Sequence, residues 1–185
     1  MQRETQGRSS KGIKNILLTG KPGIGKTTII KEWSERLGGT GGFYTLEMRE
    51  GKERVGFKIV TINGKEGILA QKGFLSRFKV GKYGVNIANL EGIGVKSIEE
   101  SLVNSEIKVI IIDEIGKMEL VSAKFQGAVK KALDSSKIVI GVITQAPSLF
   151  VKEVKRREDT RVVEVTLENR ENLKGSLPSW LPYLR

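Results

Sequence analysis

A chain of 185 residues with a net charge of +11 and neither cysteine nor histidine suits one domain with a substantial core that needs no covalent staples. Disulfides and thiolate metal sites are excluded, no apolar run approaches the roughly 20 residues of a membrane span, and the N-terminus lacks the apolar centre of a signal peptide. The expectation is a cytoplasmic, monomeric protein with no membrane partner, and its Lys/Glu-heavy composition is of the thermophile kind.

Residues 1–12 are polar and read as a disordered tail ahead of a single domain, 13–185. The apolar run 13–18 reads as a buried parallel strand. It leads into Gly20-Lys21-Pro22-Gly23-Ile24-Gly25-Lys26-Thr27-Thr28, which spells the phosphate-binding pattern G-x-x-x-x-G-K-[ST]. A helix follows from Lys26, with Ile29, Ile30, Trp33 and Leu37 on one face. Strand, glycine turn and helix in that order separate the motif from a chance match. The glycines let backbone N–H groups turn inward on a phosphate, and the helix points its positive end at the same place. Lys26 then reaches the β and γ phosphates, and the Thr27 hydroxyl ligates Mg²⁺.

Residues 38–42 read as a helix C-cap and loop. Alternating runs at 43–48, 54–62 and 67–70, joined by turns at 50–52 and 63–64, predict antiparallel hairpins. Arg49, Arg54 and Lys58 read as solvated edge charges. In the stretch 72–83, basic residues interleave with aromatics. Phe74 and Phe78 stand at i, i+4, which a short helix packed on the core explains as well as a base-stacking surface does. Residues 83–86 form a turn or short strand, and 98–104 a helix.

The run 108–114 is continuously apolar until Asp113 and Glu114, as in a buried parallel strand whose carboxyl end meets ligand. Asp113 there holds Mg²⁺ through water, and Glu114 polarises the attacking water. Lys117 is near enough in sequence to reach a phosphate or pair with an acid. An amphipathic helix then carries Val121, Phe125, Val129 and Leu133. The strand 138–144 ends in Thr144, suited to a γ phosphate or to capping. Pro147 opens a helix leading to Lys152, Lys155, Arg156 and Arg157, read either as a lid supplying an arginine in cis or as a solvated helix. A strand at 161–167, a helix at 168–173 and a packed tail at 177–184 complete the chain.

Together these elements predict an α/β fold, a mainly parallel phosphate-loop sheet flanked by helices with an inserted antiparallel hairpin region. Two segments go further: the loop at 17–28, and Val109-Ile110-Ile111-Ile112-Asp113-Glu114-Ile115-Gly116-Lys117-Met118-Glu119-Leu120. With Tyr83-Gly84-Val85-Asn86, Arg156-Arg157 and Thr166-Leu167-Glu168-Asn169-Arg170, the chain resembles the small nucleoside-triphosphate phosphatases of thermophilic bacteria and archaea. The human relative of these is the cancer-related nucleoside-triphosphatase. The resemblance covers most of residues 14–173. It implies Mg²⁺-dependent hydrolysis of several nucleoside triphosphates with little base discrimination, Lys26, Thr27, Asp113 and Glu114 taking the roles argued above. The alternatives are a kinase for nucleosides, nucleotides or nucleic-acid ends, and a nucleotide-switched RNA- or DNA-binding protein, nucleic acid being the competing partner for so basic a chain.

Overall fold

The computed structural model describes residues 12–175 and Leu177; the expectations for 1–11 and for the remainder of 177–184 lie outside the described residues. The strands are β1 (Asn15–Thr19), β2 (Thr40–Glu50), β3 (Glu53–Thr61), β4 (Glu66–Lys72), β5 (Lys79–Val80), β6 (Tyr83–Val85), β7 (Val109–Ile115), β8 (Ile138–Ile143) and β9 (Thr160–Glu164). They form one sheet in the order β5-β6-β4-β3-β2-β7-β8-β1-β9. The helices are α1 (Lys26–Leu37), α2 (Ile87–Asn89), α3 (Lys96–Val103), α4 (Ala123–Asp134), α5 (Leu149–Lys155) and α6 (Arg170–Gly175).

β7, β8 and β1 carry apolar side chains on both faces because helices cover both. On one face α1 sets Ile29, Ile30 and Trp33 against Ile16, Leu18, Ile111 and Ile140. The Trp33 indole N–H donates to the Leu173 carbonyl at 2.7 Å, which ties α6 onto α1. On the other face Ile98, Phe125, Val129, Phe150 and Val154 pack over Leu17, Ile110 and Ile112. Each such fully buried side chain contributes about 1.5–3 kcal/mol. The Ser122 hydroxyl caps α4 by accepting from the Phe125 N–H at 3.1 Å.

β2 joins two kinds of sheet. From Thr40 to Tyr44 it lies parallel to β7, with Tyr44 opposite Asp113. It continues to Glu50 as the antiparallel partner of β3. The hairpins β2–β3–β4 therefore overhang the carboxyl edge of the parallel strands.

Three local expectations change. The glycines at 41 and 42 belong to β2 rather than to a loop, because β2 must lie against β7 there: a Cβ at Gly42 would sit 2.0 Å from the Ile111 carbonyl oxygen. The helix expected at 98–104 begins earlier, α2 passing through a π-helical stretch, Leu90–Val95, into α3. No helix forms at 74–78. The Ser76 hydroxyl instead donates to the Val85 carbonyl and accepts from the Phe78 N–H, so that side-chain bonds replace helical ones. Among the described residues no helix is long and apolar enough to cross a membrane.

Candidate active site

The phosphate loop grows from the end of β1, where the Thr19 hydroxyl donates to the Ile143 carbonyl at 2.9 Å and pins β1 to β8. Gly20 turns the chain at φ 137, and a Cβ there would lie 2.7 Å from the Val165 carbonyl oxygen, so only glycine fits. Lys21, Pro22 and Gly23 are exposed, Ile24 packs half-buried, and Gly25 precedes α1 in the left-handed region. No side chain caps α1 and its first turn holds no acid. Its N–H groups and positive end are thus uncompensated, as an anion requires. The Lys26 ammonium donates to the carbonyls of Gly20 and Lys21, both at 2.9 Å, and lies folded over the loop. Thr27 is half-buried beneath it and Thr28 faces solvent.

Asp113 and Glu114 end β7 across from this loop, joined by a cis peptide bond. Asp113 is 1% exposed. Burial is the main force pushing its carboxyl up to about 7, the Glu114 charge adding to it, while a hydrogen bond from Thr27 and the charges of Lys26 and Lys31 oppose. Burial also raises Glu114, again against Lys26. One ammonium therefore acts on both acids. Asp113 Oδ2 is buried without a hydrogen-bond partner. A buried carboxylate oxygen with no donor, beside a hydroxyl and facing a phosphate loop, fits a divalent cation. Among the described residues no group of three or more acidic, His or Cys side chains could hold a metal alone. Mg²⁺ suits such a sparse set, since it keeps waters and takes phosphate oxygens as ligands.

A third acid, not singled out in the sequence, closes the site from behind. Glu119 is 4% exposed, and its Oε2 accepts from the Gly116 N–H at 3.2 Å. Burial, then the charge of Glu114, pushes it up to about 8. The spacing G-x-x-E is the signal that could have found it: an acid reaching back three residues to a backbone N–H is half of a helix capping box. Here it opens the 3₁₀ turn Glu119–Val121.

Loop, helix and acidic strand end agree with a match of residues 15–177 to the family model described as NTPase. The chain belongs to this nucleoside-triphosphatase family. It is 49% identical over 170 residues to the nucleoside-triphosphatase THEP1 of Thermotoga maritima, covering 92% of this chain and 97% of that one. It is 38% identical over 175 residues to the human cancer-related nucleoside-triphosphatase, covering 86% and 92%. The crystal structure of THEP1 from the hyperthermophile Aquifex aeolicus superposes with a TM-score of 0.80 at 40% identity, covering 88% of this chain and 96% of that one. The protein is accordingly a nucleoside triphosphatase.

Other predicted residues of the nucleoside triphosphatase lie at varying distance from this centre. Lys117 is exposed, directly after Gly116. Thr144 lies at the carboxyl edge, its N–H donating to the Ile115 carbonyl at 3.1 Å. Its hydroxyl accepts from the Ala146 N–H at 3.2 Å and so turns the chain after β8. α5 buries Phe150, Val151 and Val154 and leads toward the start of β9, while its Lys155 ammonium reaches back to the Thr144 carbonyl at 3.0 Å. Arg156 is exposed at its far end. Arg157 is not brought to the loop. It pairs with Asp134 at 2.8 Å and Asp159 at 2.9 Å, under the amino ends of the strands.

A hollow of about 1010 Å³ at that opposite edge is lined by Lys14, Lys108 and Lys137. Its lysines serve the chain itself. Lys14 donates to the Leu133 carbonyl and Lys137 to that of Asn104, both at helix C-termini, while Lys108 donates to Ser105 and Lys137 also to Ile107 in the turn before β7.

Proposed function

We propose that the protein splits the terminal phosphoanhydride of Mg²⁺-bound nucleoside 5′-triphosphates, releasing diphosphate and phosphate, with little discrimination among bases. The observation that carries this reading is the unpartnered Asp113 Oδ2, buried beside Thr27 and opposite Lys26. The amides from Gly20 to Thr28 cradle the phosphates, and Lys26 exchanges its two loop carbonyls for β and γ oxygens. Thr27 and Asp113 would hold Mg²⁺, Asp113 through water, and the ion would supply positive charge against that developing on the phosphates. Glu114, raised by burial yet close to a cation, orients the attacking water and takes its proton. Lys117 meets the outer phosphate from the end of β7.

Base tolerance follows from the shallow ground beside the loop. The hollow lined by Gly23, Thr28, Arg170, Glu171 and Lys174 holds about 150 Å³. Sites that enclose a small molecule run to roughly 300–1,000 Å³.

The test is phosphate release from ATP, GTP, CTP and UTP, in Mg²⁺ and in EDTA, with no acceptor present. Release from all four within about tenfold of one another, and none in EDTA, is expected. Release that needs an added hydroxyl acceptor would instead identify a kinase.

A further inference from the structure

No short helix carries Phe74 and Phe78 onto the core, and the ordinary explanation for that pair fails with it. Both rings lie on an open loop between β4 and β5, Phe74 36% and Phe78 44% exposed, with Leu75 between them 94% exposed. The loop is built rather than slack. Besides the bonds of Ser76, the Phe74 N–H donates to the Gln71 carbonyl at 3.3 Å and the Val85 N–H to the Phe78 carbonyl at 2.9 Å. Gly84 lets it approach β6, since a Cβ there would sit 2.0 Å from the Phe74 carbonyl oxygen.

Charge is one-signed here. Residues 67–90 include Lys72, Arg77, Lys79 and Lys82 and no acid. Within the neighbouring strands β2 and β3 the cations are matched: Arg49 and Arg54 pair with Glu47, and Lys58 with Glu66. Lys72 pairs with Glu53. Arg77 and Lys79 are exposed and have no such acid among the described residues.

We propose that this loop is a docking platform for single-stranded nucleic acid, with bases stacking on Phe74 and Phe78 and phosphates held by Arg77 and Lys79. Stacking contributes about 1–3 kcal/mol per base and tolerates any sequence, and each neutralised phosphate releases a counterion. A bilayer is the weaker match. Phe74 and Phe78 are already more than half covered by the protein and only Leu75 stands clear, so the loop offers less apolar surface than one myristoyl chain, which alone gives only marginal membrane binding. The platform rests on Tyr83, Val85 and Val80, which pack against Met118 and Val121, the segment that follows Glu114. The strand therefore runs along the hairpin side of the hydrolytic centre, and its binding does not depend on the mechanism proposed above.

The experiment is fluorescence anisotropy of fluorescein-labelled oligo(U), about 20 nucleotides long, with the full chain at two salt concentrations. Saturable binding that weakens with salt is expected. Phe74→Ala/Phe78→Ala weakens it about tenfold or more, and Arg77→Glu/Lys79→Glu does at least as much. Lys131→Glu on α4 changes it less than about twofold. All variants keep wild-type nucleotide turnover, and the charge variants also keep the wild-type melting temperature. No saturable binding overturns the proposal, as does equal loss in the Lys131→Glu control, which would reduce the effect to net charge. Loop-dependent sedimentation with phosphatidylserine vesicles, without oligonucleotide binding, overturns it in favour of a membrane.

Discussion

Glu114 and Glu119 close on Gly116 from two sides: a Cβ at position 116 would lie 2.9 Å from Glu114 Oε1 and 2.8 Å from Glu119 Oε2. The backbone between the two acids is thus clasped by both, and the Gly116 N–H is spent on Glu119. The acid proposed to orient water thus shares its turn with a second buried acid, whose charge would oppose its own.

Glu119→Gln keeps the acceptor for the Gly116 N–H and removes a charge that burial disfavours. The Glu119 carboxyl is pushed from an ordinary 4.5 up to about 8. Between those values the unfolded chain has lost the proton and the folded one keeps it. Stability is therefore full below the lower value and falls as pH rises toward the upper. At about pH 8 the variant is expected to be more stable by on the order of 2 kcal/mol, a melting temperature roughly 4–8 °C higher, with the gap closing near pH 5. Thermal melts across pH check this; a gap that does not widen with pH contradicts it.

Gly116→Ala forces a methyl group between the two carboxylates. Overpacking of this kind costs about 1–3 kcal/mol. Because Glu114 Oε1 must move, turnover should fall more than nucleotide affinity does. Calorimetric binding beside steady-state kinetics separates the two.

Glu114→Gln is expected to bind nucleotide within a fewfold of wild type and to lose phosphate release by about 10²–10⁴. Turnover resembling wild type would remove Glu114 from the mechanism. Asp113→Asn should differ in kind, raising the Mg²⁺ needed for half-maximal turnover, since the orphaned Oδ2 is the atom proposed to serve the cation.

Arg157→Ala should behave as a stability variant. It leaves Asp159, 6% exposed, without its guanidinium partner. The loss is about 2 kcal/mol, short of the cost for a fully buried pair because Arg157 stays partly exposed. The folded fraction should turn over at the wild-type rate. A fall in kcat of several powers of ten at unchanged melting temperature would restore the arginine to the site.

What the amino-acid order alone determined is local or continuous along the chain. The phosphate loop is legible because Gly20, Gly25 and Lys26 act through neighbouring backbone, and the acidic strand end because seven apolar or acidic residues of β7 stand in one run. The hairpins announced themselves through alternation and turn residues. What only the tertiary structure decided depends on contacts between distant segments. Gly42 joins β2 against Ile111 and Gly41 under Ser101 of α3, and the loop at 73–78 stays open because Ser76 bonds across to Val85. Arg157 belongs to Asp134 and Asp159 because α5 must cross from the carboxyl edge to the start of β9. Glu119 lies between these cases: its spacing from Gly116 is written in the sequence, but its burial comes from the packing that closes over it. Burial is a property of the assembled fold, and it is the main force that turns an ordinary acid into one that keeps its proton.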